Sequence, residues 1–209
     1  MLRLAALVSL LAGLAAFFVY LGIMGLAPWS SREMKHLRAM KDRTSAPANP
    51  FEATTVSFED LPHRRPLAEY AALERRGVRM EGYVQRMLRA PDGDTHLELV
   101  ATPRLPGGPD TLYVTAEVTP PMWRGSERWS YASLLALFRP NRGGRAPWPG
   151  GPSRVRLTGW LLYDWQYDGE PSPWQKEHAA PRATGWEIHP VTKIERWNDA
   201  DSAWVEVPR

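Results

Sequence analysis

The stretch WEIHPVTKIERW, residues 186–197, alternates bulky and polar side chains. Such alternation predicts a half-buried β-strand. Glu187 and His189 are two positions apart, so a strand places both side chains on the same face. Because the stretch lies close to the C-terminus, we predict that it is the last strand of a small barrel, which it closes against earlier strands.

Four segments upstream alternate in the same way, and one short helical pattern interrupts them. The predicted strands are residues 78–87, 96–101, 112–118 and 155–163. Ser130 suits a helix N-cap, and the mostly apolar residues 131–138 predict a helix that ends before Pro140. Three strands, a helix and two strands follow each other in the OB-fold, a five-stranded, partly open Greek-key barrel. We therefore predict a mainly β fold, an OB-like Greek-key barrel with a short helix between its third and fourth strands.

The N-terminal region contains an apolar run, Leu4 to Ala27, of 24 residues without a charge. About 20 such residues span the hydrocarbon core of a bilayer as a helix, and Trp29 suits the membrane interface. The alternative is a cleaved signal peptide, whose apolar core is typically about 7–15 residues long. Because the run is longer than that, we predict a single transmembrane helix that anchors the chain in the lipid bilayer through residues 4–27.

The net charge of +3 is concentrated beside this apolar run. Residues 1–43 hold six of the 26 basic and two of the 23 acidic residues, which leaves 20 basic and 21 acidic residues, a net charge of −1, for residues 44–209. Five of the six basic residues follow the run, so the positive-inside rule favours a domain on the cytoplasmic side of the membrane. An extracytoplasmic domain is the alternative, because a short N-terminal anchor also resembles an export signal.

The chain divides into four predicted parts. These are a transmembrane anchor over residues 1–30, a basic flank and linker over 31–62, the OB-like barrel domain with a preceding helix over 63–200, and a tail over 201–209. The preceding helix is predicted over residues 66–76, with a proline in its first turn and Gly77 as its stop. Residues 31–43 form either a basic helix along anionic headgroups or, as we favour, a solvated flank.

Several short motifs resemble those of a group of small bacterial OB-like domains. They are EGYV at 81–84, THLEL at 95–99, EVTP at 117–120, GWLLYD at 159–164 and WEIHPVT at 186–192. The resemblance covers residues 77–196 and leaves out the anchor and the linker. It implies the fold and a domain boundary, and it implies no activity.

Four polar residues are candidates for catalysis or metal binding: His96, Glu117, Glu187 and His189. By alternation, each lies on the polar side of its predicted strand. Two imidazoles and two carboxylates suit a divalent ion such as zinc or manganese, which with an open coordination position activates water against a phosphodiester or related bond. The alternative, which we favour, is that these groups hydrogen-bond one another and close the barrel, so that the protein is not an enzyme.

A second set of candidates lies in and beside the loop between the fourth and fifth predicted strands, a loop that OB-folds use for ligands. The set consists of Trp165, Tyr167, Trp174 and Arg182. Aromatic side chains with a neighbouring arginine suit a peptide, a glycan or a partner protein, and they also stack on unpaired bases. The near-neutral charge of residues 44–209 argues against nucleic acid, because phosphate binding normally needs a positive excess.

These observations predict a membrane-anchored OB-fold binding or scaffolding module. The first alternative is a metal-dependent hydrolase that uses the His/Glu cluster, and the second is a single-stranded nucleic-acid binding protein. The chain contains no cysteine, which excludes disulfides, thiolate metal ligands and cysteine nucleophiles.

Overall fold

The structure, a computed structural model, describes residues 2–54, 58, 60–61, 66–103, 112–139, 152–168 and 182–209. It forms two compact units, residues 1–42 and residues 43–209. The predicted binding residue Trp174 lies outside the described residues.

The first unit contains two helices, α1 (Leu2–Ile23) and α2 (Arg32–Lys41). Within α1, the 19 residues Ala5–Ile23 have a mean hydropathy of 2.3. Among the described residues, this is the one helix that is long and apolar enough to cross a membrane, although a signal sequence has the same properties. The prediction of one apolar N-terminal helix is confirmed.

Helix α2 occupies the basic flank, for which the sequence allowed a basic helix but favoured a solvated segment. The Ser31 side chain accepts a hydrogen bond from the Met34 backbone N–H and caps the helix. Glu33 lies in the first turn, and Arg38 and Lys41 lie in the last turn. These charges oppose the helix dipole at both ends, which explains why a short and mostly polar segment is helical.

The described part of the second unit is built mainly from seven strands. They are β1 (Phe51–Thr54), β2 (Gly77–Arg89), β3 (Thr95–Val100), β4 (Tyr113–Val118), β5 (Arg154–Tyr163), β6 (Arg182–Asn198) and β7 (Ala203–Glu206). The helices are α3 (Leu67–Leu73), α4 (Pro120–Trp123) and α5 (Tyr131–Phe138), with a 3₁₀ turn at Trp165–Tyr167. The mainly β prediction is confirmed, and a strand is present at each of the five predicted positions.

The strand pairings run β1–β2–β3–β4–β6–β5, and β5 pairs in turn with β2. Five strands, β2, β3, β4, β6 and β5, therefore form a ring of pairings that returns to its first member. Within this ring, β4 and β6 are parallel, and the other four pairs are antiparallel. Strand β2 takes part in two of these pairs because its first half lies beside β5 and its second half beside β3.

Two strands lie outside the predicted barrel. Strand β1, in the predicted linker, pairs in parallel with β2 from Val78 to Glu81. Strand β7, in the predicted tail, pairs with β6, and the Trp129 indole N–H donates to the Val207 carbonyl just beyond it at 2.9 Å. Each strand has only four residues, too few for alternation to separate a strand from a loop. The neighbouring strand therefore decides their conformation.

Helix α3 is shorter than the predicted helix over 66–76. Its end is set by the sheet, because the Arg76 carbonyl accepts a hydrogen bond from the Leu161 N–H at 3.1 Å. Helix α5 spans the residues predicted for it, and Ser130 caps it by accepting from the Ser133 N–H. Leu134, Leu135 and Phe138 on α5 are buried in the core.

The core lies inside the ring of strands, and β5 packs tightly against β6 at Gly159. A Cβ atom at this position would lie 2.6 Å from Ile188 Cγ2 and would also clash with the Pro190 carbonyl oxygen. The pairing of β5 with β6 changes register on both sides of Gly159. Glycine therefore allows the bulge that brings the two strands together.

Candidate functional site

Strands β3 and β4 and the first half of β6 are covered on both faces. One face contributes the core residues Leu97, Leu99, Ala116 and Ile188, and the opposite face is polar. We use the name polar face for the side chains of Arg86, Asp94, His96, Glu98, Thr115, Glu117, Arg182, Glu187 and His189. Most of these side chains are buried, and Arg86, His96 and Arg182 keep 11–16% of their side-chain surface exposed.

Strand register arranges the polar face in two rows across the sheet. His96 on β3 pairs directly with Glu117 on β4. One step along, Glu98 pairs with Thr115, and Thr115 pairs with Glu187 on β6. Strands β4 and β6 are parallel, so Glu117 lies two residues after Thr115 and His189 lies two residues after Glu187, side by side. His96, Glu117 and His189 thus form one row across three strands.

Glu117 is the centre of the first row. Its Oε1 atom lies 3.0 Å from His96 Nε2, and its Oε2 atom lies 2.7 Å from His189 Nδ1. Since each oxygen contacts a different imidazole, this single carboxylate joins β3 to β6 through β4. Glu117 and His189 are 2% and 1% exposed, so the contacts form almost without water.

Arg182 and Glu187 on β6 contact the first row from the side of the second. Arg182 Nη1 lies 2.9 Å from Glu187 Oε2, and its Nη2 lies 3.9 Å from Glu117 Oε1. Glu187 Oε1 in turn lies 3.6 Å from His189 Nδ1. The four residues predicted from the sequence as a cluster are therefore neighbours, and Arg182 lies among them.

The second row is built around Glu98. Thr115 Oγ1 donates a hydrogen bond to Glu98 Oε2 at 3.4 Å, and Arg86 Nη2 lies 3.8 Å from Glu98 Oε1. The Arg86 guanidinium also lies over the Tyr113 ring, 5.4 Å from its centroid. These contacts hold the polar face together at the side away from His96.

Asp94 joins the cluster from the turn before β3. One ligand atom from each of Asp94, Glu117 and His189 lies within 4.8 Å of the other two, and all three residues are buried. Asp94 is not among the candidate residues predicted from the sequence. The signal that could have identified it is its spacing, because it lies two residues before His96 and so continues the same face.

The electrostatics of the polar face follow from burial and from the position of Glu117. Burial raises the pKa of Asp94 to about 6, and the charge of Glu117 adds to this effect. Burial lowers the pKa of His96, but its hydrogen bond to Glu117 and the charge of Glu117 outweigh burial and raise this pKa to about 9. Burial raises the pKa of Glu117, yet hydrogen bonds from His189 and His96 hold it well below its usual range. At neutral pH, Glu117 is ionised and His96 is protonated.

Of the predicted aromatic binding set, Trp165, Tyr167 and Arg182 are among the described residues. Trp165 is half-buried and packs against the core. Tyr167 is 45% exposed, and the Arg182 guanidinium lies 4.1 Å from its ring centroid. Tyr167 and Arg182 therefore contact each other, whereas Trp165 packs against the core.

Of the comparisons with known proteins, the one with solved structures finds similar chains. No protein-family model and no curated protein matches the chain. Among solved structures, it is similar to an asparaginyl-tRNA synthetase from Pyrococcus horikoshii complexed with asparaginyl-adenylate, at 20% identity over 60% of this chain and 20% of that chain, with a TM-score of 0.30. It is also similar to the aspartyl-tRNA synthetase from Entamoeba histolytica, at 16% identity over 80% of this chain and 28% of that chain, with a TM-score of 0.32. The chain thus spans less than a third of these synthetases, and likenesses at such scores carry no argument about its activity or partners.

Proposed function

We propose that this protein is a membrane-anchored binding module on an OB-type Greek-key barrel, and that its ligand site is the polar face. The ring of pairings β2–β3–β4–β6–β5 supports the barrel, as does α5, which lies between β4 and β5, the third and fourth of these five strands along the chain. OB-folds bind ligands on the face of their second and third strands and with the loops after the first and fourth. Here those strands are β3 and β4, and Asp94 and Arg182 lie at the ends of those loops.

The observation that carries the proposal is the burial of five ionisable side chains in one network. Asp94, Glu98, Glu117, Glu187 and His189 are each less than a tenth exposed. Removing each charge from water costs several kcal/mol, and apolar residues of similar volume often give equal or greater stability. A fold that needed only a covered sheet face would be served by apolar side chains there. The network is better explained by recognition of a ligand.

The anchor and the basic flank support the membrane part of the proposal. Helix α1 has the length and hydropathy of a bilayer span, and α2 after it carries Arg32, Lys35, Arg38 and Lys41. We propose, from the positive-inside rule, that the barrel lies on the cytoplasmic side of a bacterial inner membrane. An alkaline phosphatase fused to the C-terminus should be inactive in cells, and the chain should stay in the membrane pellet after carbonate extraction. An active fusion would place the barrel on the other side.

Ligand binding is tested on the full-length protein in detergent micelles by thermal unfolding with a ligand panel. The panel contains divalent metal ions, nucleotides, a single-stranded oligonucleotide and oligosaccharides. A ligand of the polar face should raise the Tm of the wild type, since a ligand at 100 times its Kd adds about 2.7 kcal/mol. The rise should be lost in Glu187→Gln and kept in Glu195→Gln, which removes a carboxylate elsewhere on β6.

Two results would count against the binding module. One is the absence of any Tm shift with the whole panel. The other is an equal shift in the wild type and Glu187→Gln, because such a ligand binds away from the polar face. A shift by the oligonucleotide that disappears as salt is raised would instead favour nucleic-acid binding.

The second candidate function is a metal-dependent hydrolase. The observation that favours it is the convergence of His96, Glu117 and His189 in one row. An ion held there would activate water, and the exposed edges of His96 and Arg182 would face the substrate. Hydrolysis of bis(p-nitrophenyl) phosphate that is lost with EDTA and in His189→Gln would support this function. No turnover with a full complement of metal would exclude it for phosphodiesters.

A further inference from the structure

We propose that the polar face holds one divalent transition-metal ion, bound by Asp94, Glu117 and His189. The proposal rests on the proposed function, because it names a ligand for the same face. It changes the ligand set expected from the sequence. Asp94 enters the set, and His96 and Glu187 support the ligands from outside it.

The positions of the donor atoms carry the proposal. The ligand atoms of Asp94, Glu117 and His189 all lie within 4.8 Å of one another, and the closest contact is 2.7 Å between His189 Nδ1 and Glu117 Oε2. Two donors about 2.1 Å from a tetrahedral ion lie roughly 3.4 Å apart. Opening the closest contact by less than about 1 Å therefore makes room for an ion.

Three separate parts of the fold supply the three ligands. Asp94 ends the turn before β3, Glu117 lies on β4, and His189 lies on β6. Residue exposures of 7%, 2% and 1% keep competing water away from the donor atoms. Strand pairing holds the backbones of β4 and β6, and a hydrogen bond from the Ala90 N–H to the Asp94 carbonyl at 2.9 Å holds the turn, so an ion would find its ligands already assembled.

The surrounding contacts explain why the other two predicted residues are not ligands. Glu187 directs Oε2 at Arg182 Nη1, at 2.9 Å. His96 binds the Oε1 atom of Glu117 at 3.0 Å, and so orients this carboxylate while Oε2 faces His189. Groups that hydrogen-bond a ligating carboxylate typically strengthen metal binding by 10–100-fold.

The chemistry of the donors selects the class of ion. One imidazole with two carboxylates suits zinc, cobalt or manganese, whereas calcium prefers six to eight oxygen ligands. The site contains neither a thiolate nor a thioether, the ligands that select copper(I). The occupant is therefore a borderline divalent ion of the first transition row, and Co²⁺ is a suitable probe because its visible spectrum reports its ligands.

The experiment uses full-length protein in detergent, stripped with EDTA and dialysed against Co²⁺. Elemental analysis should give about one ion per chain, with a visible absorption band. Asp94→Asn and His189→Gln should each weaken binding at least tenfold and alter the band. Glu195→Gln, a buried carboxylate bonded to Arg156 on the outer side of β6, is the matched control and should bind like the wild type. Near-UV circular dichroism checks the fold of each variant. If one ligand variant does not fold, Co²⁺ binding by the other one tests the site.

Three outcomes would overturn the metal site. The first is a wild type that holds less than about a tenth of a Co²⁺ ion per chain. The second is equal Co²⁺ binding by the wild type and both ligand variants, and the third is a loss of Co²⁺ binding in Glu195→Gln as large as in the ligand variants. The thermal panel separates this failure from failure of the binding module. If Co²⁺ does not bind but another ligand stabilises the wild type and not Glu187→Gln, only the metal site is wrong. If nothing binds, both proposals are wrong.

Discussion

Strand β6 takes part in two charged clusters that differ in their exposure to water and in how their charges are paired. Its first half carries the buried polar face around Glu117, Glu187 and His189. Its second half belongs to what we call the arginine–tryptophan ladder, made of Arg154, Arg156, Glu195, Trp197 and Trp204. In the ladder, Arg156 binds Glu195 through two parallel contacts of 2.9 and 2.7 Å, and both arginines lie over the Trp204 ring at 4.7–5.2 Å.

The difference between the two clusters lies in how their charges are neutralised. In the ladder, Glu195 has its own arginine in a two-pronged geometry, and the Arg154 and Arg156 side chains remain 39% and 22% exposed. On the polar face, the single carboxylate of Glu117 serves two imidazoles and lies near a guanidinium, away from water. The ladder has the properties of a stabilising, partly exposed contact, whereas the polar face loses stability because it holds charges away from water.

The largest effect is expected for Glu117→Ala, which would break the polar face. It leaves His96, His189 and Arg182 without the carboxylate that they share, and removal of one partner from a buried ion pair costs about 3–5 kcal/mol. Urea unfolding of the full-length protein in detergent, followed by tryptophan fluorescence, measures the loss. A loss below about 1 kcal/mol would mean that the polar face resembles the ladder energetically.

The next effect is expected for Trp204→Ala in the ladder. It removes the edge-to-face contact with Trp197, at 5.3 Å between ring centroids, and the ring under both arginines. Aromatic and cation–π contacts at a partly exposed site together contribute about 2 kcal/mol. The same unfolding measurement applies, and Trp204→Phe, which keeps a ring, should recover at least half of the loss.

A smaller effect, dependent on pH, is expected for Glu195→Gln. Hydrogen bonds from Arg156 lower the pKa of Glu195 below its ordinary 4.5. A carboxylate with a lowered pKa stabilises the fold above the unfolded value, and this contribution is lost as pH falls through the folded value. The free energy of unfolding of the wild type should therefore be about 1 kcal/mol larger than that of the variant at pH 7, and almost equal to it near pH 3. A difference that stays constant across this range would contradict the assigned role of Arg156.

The smallest effect is expected at the exposed ion pair between Arg79 and Glu52, which joins β1 to β2. Its atoms are 2.9 Å apart, but the side chains are 33% and 66% exposed. Glu52→Gln should cost less than about 0.5 kcal/mol, and about 0.5 M salt should abolish the difference. A salt-independent loss would show that β1 depends on this pair more than exposure allows.

The strands of the ring were predictable because each carries enough alternation to identify its apolar face. Leu97 and Leu99 on β3 lie in the core, as their spacing indicates. The helix over 131–138 was equally clear from its Ser130 cap and the apolar residues after it. The four-residue strands β1 and β7 carry too little periodicity and form because β2 and β6 offer them backbone partners.

The candidate site was predictable only in part, for a similar reason. Alternation placed His96, Glu117, Glu187 and His189 on polar sides of strands, and tertiary structure brought these sides together. The alternation of the predicted strands did not extend to Asp94, which lies in the turn before β3. It also gave no reason to expect Arg182 to bind Glu187 across the bulge between β4 and β6. Local pattern reports which face of its own strand a side chain occupies. It does not report which strands become neighbours.

The sequence by itself determined an apolar N-terminal helix, the order of strands and helix in the second unit, and the faces of the long strands, because these depend on residue spacing along the chain. Tertiary structure alone decided that β4 and β6 run side by side and that Glu117 lies between two imidazoles. It also decided that the second half of β6 became a ladder bonded to solvent-facing arginines. These features depend on register between segments about 70 residues apart, as in the bond between His189 and Glu117. Contacts at that separation form when the ring closes, and no local stretch of sequence specifies them.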